Sequence, residues 1–292
     1  MSRYSARREY AKKTRDRVLW HTPGLQRVIR AGARKGAIPP SVWRRLHPRG
    51  AWTLHAPDGT PFRYDSAFPH DGMARHVVWT DMRHWETTTQ PLLFDLAKEA
   101  KVFVDVGAYS GIYTILACVA NPRLRAIAFE PNPVKLEQLR SNVALNGLRD
   151  RVTLVGKALS SEPGRAGLAI PADDSQASLA HAAPGARTVD VPVTTGDEAL
   201  GDLPVGLVKI DVEGLEPQVL TGMAGVLAAH RPKIIAECLD QRALDRLRRV
   251  TAALGHRYAY HIDQAGLVPV DDRFAHPYRF PNYLFTAEPM NV

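Results

Sequence analysis

Acids close several short apolar runs in this sequence, and their placing suggests chemistry. Asp105 ends one such run and leads into D-V-G-A-Y-S-G, where Gly107, Ala108, Tyr109 and Gly111 form a loop. Glycines at two of these positions let the chain turn tightly and approach a ligand closely. A helix starting at Ile112 then aims its free N–H groups at whatever the loop holds. Strand, glycine loop and helix in this order make a seat for the polar parts of a nucleoside cofactor. Glu130 ends the next run, R-A-I-A-F-E, 19 residues beyond Gly111. At that distance an acid can accept both ribose hydroxyls; the plainer account is a solvated strand-end carboxylate. Asp211 ends V-G-L-V-K-I-D with Glu213 two residues on, and Glu237 ends K-I-I-A-E. Carboxylates at these tips can take a proton or anchor an acceptor, and the first two can instead cap the helix that follows. An Asp211 and Glu237 pair could hold a divalent cation, but no His completes an obvious ligand set, so no metal is expected.

Positioning these acids requires a particular set of elements. The run at residues 101–106 is β-branched, aromatic and too short for a helix, which predicts a buried strand. A helix follows at 112–120 and stops at Asn121-Pro122. Residues 125–130 form the second strand. Asn132 then stands as N-cap, Pro133 at the first helical position, and Gly147 past the end of a crossover helix. Strands are expected at 151–156, 205–211 and 233–237, and the last two at 256–262 and 282–286. In the fourth of these strands alternation puts Lys209 and Asp211 on one side. Asp240 is expected to cap a helix that Gly255 ends. Between 162 and 204 only two short strands are visible, at 166–170 and 188–193, and Asp174, Ser175 and Ser178 read as loop polars. The order of strands and helices favours a parallel sheet covered on both faces.

Charge divides the chain. Residues 1–50 hold 14 Lys+Arg against 2 acids, a net +12, whereas the remainder of the 292 residues sums to −4. Leu25, Val28 and Ile29 recur at helical spacing among arginines, which reads as a basic amphipathic helix. Such a helix can pack on its own domain, lie on an anionic membrane or meet nucleic acid. Alternation begins at Trp52 and turns at Pro57-Asp58-Gly59, so a hairpin is expected to open the folded domain at 51–292, after a basic extension at 1–50. Cys118 and Cys238 lack any partner at metal or C-x-x-C spacing, and buried reduced thiols in a cytoplasmic protein account for them. No apolar run reaches transmembrane length, and the basic N-terminus lacks the apolar stretch of a signal peptide.

The fingerprint G-x-G-x-x-G of dinucleotide sites is absent; the spacing is G-x-x-x-G. The stretch resembles the glycine loop of class I S-adenosylmethionine methyltransferases. More narrowly, D-V-G-A-Y-S-G followed about 100 residues later by K-I-D-V-E-G-L-E-P-Q-V-L-T-G-M resembles the FkbM family. The resemblance implies a Rossmann-like α/β sheet, mostly parallel with an antiparallel last strand, and S-adenosylmethionine as cofactor. It also puts Asp105, Gly107, Ala108, Tyr109, Gly111, Glu130 and Asn132 around that cofactor. Glu86 matches an acid near the cofactor, although a helix-start acid at the positive end of the dipole explains it equally well. Ala158 and Leu159 match the adenine seat, or a plain strand exit. The function implied is methylation of a hydroxyl on a small molecule or saccharide, with Asp211, then Glu213 and Glu237, as base or anchor. The alternatives are an RNA-directed methyltransferase, and a nucleic-acid or membrane-surface binding protein acting through residues 1–50.

Overall fold

Burial on both faces dictates the central strand: every residue of Val102–Val106 is buried. Val102, Val104 and Val106 enter one apolar core while Phe103 enters the other, as the two-residue period of a strand requires. The computed structural model describes residues 18–22, 24–68, 71–171, 177–179, 186–277 and 279–290. Asp174 and Ser175 lie outside the described residues.

The chain runs through helices α1 (Leu25–Arg34) and α2 (Pro40–Trp43), the hairpin β1 (Ala51–His55) and β2 (Pro61–Asp65), and helices α3 (Ala74–Thr80) and α4 (Thr89–Ala97). Next come β3 (Val102–Val106), α5 (Ile112–Ala120), β4 (Arg125–Phe129), α6 (Pro133–Leu145) and β5 (Val152–Val155). An insertion contributes β6 (Ala158–Leu159), β7 (Gly164–Ile170), β8 (Arg187–Thr194) and α7 (Gly196–Leu200). The second half holds β9 (Val205–Ile210), α8 (Glu216–Thr221), α9 (Ala224–His230), β10 (Lys233–Glu237), α10 (Gln241–Ala253), β11 (Tyr258–Asp263), β12 (Gly266–Pro269) and β13 (Asn282–Thr286).

Eight strands form one sheet in the order β12-β11-β13-β10-β9-β3-β4-β5. The run from β10 to β5 is parallel, and β13 inserts antiparallel to both β10 and β11. This is the α/β arrangement expected, with the last strand reversed. One core packs α1, α3, α4, α5 and α6 on the first face through Ile29, Val77, Leu93, Ile115 and Leu139. The second packs α8, α9 and α10 through Val219, Leu227 and Leu244. Asn132 and Asp240 cap α6 and α10 through their side chains. Strand β12, which closes the sheet, was not expected: it is four residues long, Pro269 ends it, and none of it is buried.

The insertion folds as a separate sheet in the order β6-β8-β7 over a small core of Leu168, Ile170 and Val191. At the other end of the chain, Leu19, Ile29, Ala33 and Trp43 join the same core as Trp79 and Leu93. Burying Ile29 alone stabilises by about 1.5–3 kcal/mol. Across the expected boundary near residue 50, Arg30 pairs with Asp81 at 3.0 Å and Trp79 Nε1 donates to the Leu46 carbonyl at 2.8 Å. Both cysteines are buried and free. Among the described residues no helix is long and apolar enough to cross a membrane.

Candidate active site

Parallel strands deliver their carboxyl ends to one edge, and a cavity of about 450 Å³ lies there. Glu86, Gly107, Tyr109, Glu130, Asn132, Ala158, Leu159, Asp211, Glu213 and Glu237 all line it. The first of its two ends is built by the glycine loop. Gly107 and Ala108 both donate their N–H to the Phe129 carbonyl at 3.0 Å, which fastens the loop to the end of β4. Tyr109 is left-handed at φ 52° and points its N–H to Glu130 Oε2 at 2.8 Å. The Asn132 N–H donates to the other oxygen, Oε1, at 2.8 Å. Both oxygens of Glu130 are thus held by backbone donors, and its orientation is fixed. Burial pushes its carboxyl up to about 7, while those two donors pull the other way. Asn132 Oδ1 caps α6 through the Val134 N–H at 3.1 Å, whereas its Nδ2, buried in the cavity wall, has no acceptor among the described residues.

Three of the expected cofactor residues stand behind the wall. Asp105 is buried and accepts from Thr114 Oγ1 at 2.6 Å, so it ties β3 to α5 beneath the loop. Burial raises its carboxyl to about 6. Ala108 and Gly111 shape the loop from below. A Cβ on Gly107, at φ 80°, would lie 1.9 Å from the Asp211 backbone carbonyl. That glycine therefore admits the neighbouring loop of this chain as much as a ligand, and it locks the two motifs together. The Asp211 N–H completes the lock by donating to the Val106 carbonyl at 3.0 Å.

The second end is a cluster of acids around one buried cation. Lys209 Nζ sits 2.8 Å from Asp211 Oδ2 and 4.8 Å from the centre of the Tyr113 ring. Burial works against this ammonium, but Asp211 and Glu86 outweigh it and raise its proton affinity. Glu86 accepts from the Tyr113 hydroxyl and from Asn282 Nδ2 at 3.0 Å. It does not act as a capping acid; its backbone carbonyl instead receives the N–H groups of Thr89 and Gln90. Nor do Asp211 and Glu213 cap α8. The N-cap position of α8, Leu215, has no side-chain cap, and Glu216 in its first turn instead braces the preceding loop, accepting from the Val212 and Gly214 N–H groups at 3.2 and 3.1 Å. Asp211, Glu213 and Glu237 each bring an oxygen within 4.8 Å of the others. Burial, then Asp211, push Glu213 up to about 7 and Glu237 up to about 9. Such a triad has the shape of a cation site, although hard cations usually take more ligands than three.

Several lining residues had no signal in the sequence. Lys135 is buried in α6, 4.5 Å from the Tyr109 ring, where helical periodicity gives no reason to expect a lysine. Trp85, Arg75 and His76 come from the segments before α4. Tyr113 was hidden in an apolar helix. Ser178 forms a bridge with Ala169 and does not line the cavity.

Among solved structures the fold is similar to a Methylobacillus flagellatus FkbM methyltransferase, at 21% identity and TM-score 0.44 over 64% of this chain and 43% of that one. It is also similar to a Bacillus cereus O-methyltransferase in complex with SAH, at 16% identity and TM-score 0.41 over 70% and 80%. Among curated proteins, the hexuronic acid methyltransferase AglP of Haloferax volcanii is 31% identical over 139 residues, 47% of this chain and 55% of the relative. The chain thus spans about half the length of the curated relative it matches. The FkbM methyltransferase domain matches residues 105–260, more than half of the chain and both motifs. The chain belongs to the FkbM methyltransferase family.

Proposed function

We propose that this protein transfers a methyl group from S-adenosylmethionine to a hydroxyl of a small molecule or saccharide, a uronic acid being the favoured class. The observation that carries the reading is one cavity with a fixed ribose acceptor, Glu130, at one end and unmatched carboxyls at the other. The residues present fit the cofactor. Glu130 offers lone pairs to two hydroxyls, Asn132 Nδ2 supplies a buried donor still without an acceptor, and Phe129, Ala158 and Leu159 give an apolar slot for a base. Asp211, with the ionised fraction of Glu213, offers negative charge to a cationic centre. When bound, the cofactor supplies a methyl group on a positively charged sulfur that leaves by in-line displacement.

What the chain contributes is alignment and proton removal. A carboxyl near 7 is half ionised at neutral pH and suits a general base, so the acceptor's hydroxyl proton goes to Glu213 as its oxygen takes the methyl. Glu237, near 9, stays protonated at that pH and donates a hydrogen bond to the acceptor. Asp211 has one oxygen engaged by Lys209 and serves as anchor. Arg75 and His76 line the wall contributed by α3, and Arg75, whose Nη1 donates to the Arg44 carbonyl at 3.3 Å, has a buried Nε with no partner among the described residues, which suits an acceptor bearing its own carboxylate. The name of the Haloferax relative points to the same class. Incubation with methyl-labelled S-adenosylmethionine and matched glucuronate-bearing and neutral oligosaccharides tests this. Label on the acidic set supports the reading. Label only on RNA, or none with a cofactor-binding protein, contradicts it.

A further inference from the structure

A second cavity, of about 580 Å³, opens between α1 and the start of the hairpin. Trp20, Arg27, Arg30, Arg34, Arg49 and Trp52 line it. Among the described residues one carboxylate answers these four guanidinium groups: Asp81, 4% exposed, pairs with Arg30 at 3.0 Å and with Arg34 at 3.3 Å, and also meets His55 Nδ1 at 2.9 Å. Among the described residues Arg27 and Arg49 have no carboxylate partner. An excess of three positive charges is therefore gathered in one concave surface. Two of its N–H donors, Arg30 Nε and Trp52 Nε1, are buried without acceptors among the described residues. The indole faces are already covered, since Arg30 lies 5.4 Å over Trp52 and Arg49 lies 5.0 Å over Trp20. What the groove offers is guanidinium edges rather than stacking platforms, which favours an oxyanion over a nucleobase. The chain's own first 17 residues carry 7 Lys+Arg against 2 acids, so their charge does not match the groove.

We propose that this groove is a phosphate-binding site separate from the catalytic cavity. Guanidinium forks bind phosphate in a paired geometry that ammonium groups do not reproduce. Helix α3 joins the two places: Arg75 and His76 at its start line the catalytic cavity, and Asp81, just past its end, holds Arg30 and Arg34. Seven helical residues span about 10 Å, so the site stands about that far from the cavity wall. Two sources can supply the phosphate. One is a soluble phosphorylated compound such as a glycosyl phosphate. The other is a lipid headgroup, with Val28, 64% exposed on the same helix, entering the lipid surface.

The test uses the full chain, Arg27→Ser/Arg49→Ser and the charge-keeping Arg27→Lys/Arg49→Lys. Glycerol 3-phosphate is titrated by calorimetry, and vesicles of phosphatidylcholine with or without phosphatidylglycerol are tested by co-sedimentation. Melting temperature and S-adenosylhomocysteine affinity, measured on the same preparations, report the fold and the catalytic cavity and should stay unchanged. The serine variant is expected to lose about 10-fold or more in affinity, and the lysine variant to recover only part of it. Loss toward glycerol 3-phosphate assigns a soluble ligand; loss toward phosphatidylglycerol vesicles alone assigns a headgroup. Equal affinity in the wild type and the serine variant, no binding of either probe, or binding of RNA alone overturns the proposal.

Discussion

The two ends of the catalytic cavity are built on opposite principles. At the glycine-loop end Glu130 has a backbone donor on each oxygen, and those donors come from the loop of the same strand–loop–helix unit and from the residue two positions on. At the other end four acids, Glu86, Asp211, Glu213 and Glu237, share the single buried cation Lys209, and they come from a loop and two strand tips far apart in the chain. Donors there are too few, so burial and mutual repulsion push Glu213 and Glu237 far above the ordinary carboxyl value. The first end is a cradle that needs no partner to hold its shape. The second is a concentration of charge that a cationic ligand and an acceptor would relieve. Differences of this kind separate holding from reacting.

Breaking the lock between the ends should have the largest effect. Gly107→Ala puts a Cβ against the Asp211 carbonyl at a positive φ, and it is expected to cost about 3 kcal/mol or more of stability and to abolish cofactor binding. A melting curve with a calorimetric titration checks it, and a normal melting temperature would show that the two loops are not locked. Next in size is the reactive end. Glu213→Gln should lower turnover by about 100-fold and remove the rise in rate through pH 7, with cofactor affinity retained. Asp211→Asn, by contrast, should lower stability as well, because Lys209 loses its closest counter-charge. If instead Asp211→Asn alone removes the pH-dependent rise, the base is Asp211 and the roles exchange.

A smaller effect sharpens the electrostatic side. Glu237 keeps its proton to about pH 9 in the folded protein but loses it near 4.5 when unfolded. The folded state therefore binds more protons between these values, and stability falls as pH rises through that window. Glu237→Gln should raise the melting temperature by several degrees at pH 8 and leave it nearly unchanged at pH 4. A fall at pH 8 would mean that the carboxylate is ionised and stabilising.

The same contrast explains what was legible in the sequence. Strand, loop and helix around Gly107, the distance to Glu130 and the cap at Asn132 are local, and periodicity with turn chemistry reveals them. The tips carrying Asp211 and Glu237 were visible, even as a pair, but the gathering of Glu86 and Glu213 around them was not, since it depends on segments far apart in the chain. Gly107 shows the limit well. Its type was readable as a demand for close approach, yet the partner is the Asp211 carbonyl, more than 100 residues away. Strand alternation put Lys209 beside Asp211, but the Tyr113 ring over it and the burial of Lys135 against Tyr109 had no local mark, because no local rule shows a lysine buried against an aromatic ring. The arginines of α1 were visible as charge, while Asp81, which organises two of them, sits in a left-handed turn with no local mark of its role.

Glu130 gives the most direct test of the central claim, that the glycine-loop end is a seat for S-adenosylmethionine. The full chain and Glu130→Ala are titrated by calorimetry with S-adenosylmethionine, S-adenosylhomocysteine and NADH. The account predicts saturable binding of the first two and none of the third. It further predicts a loss of about 1.5–3 kcal/mol for both in the variant, from the charge-assisted bonds removed. Binding of NADH without S-adenosylmethionine, or affinities that ignore the substitution, would contradict it.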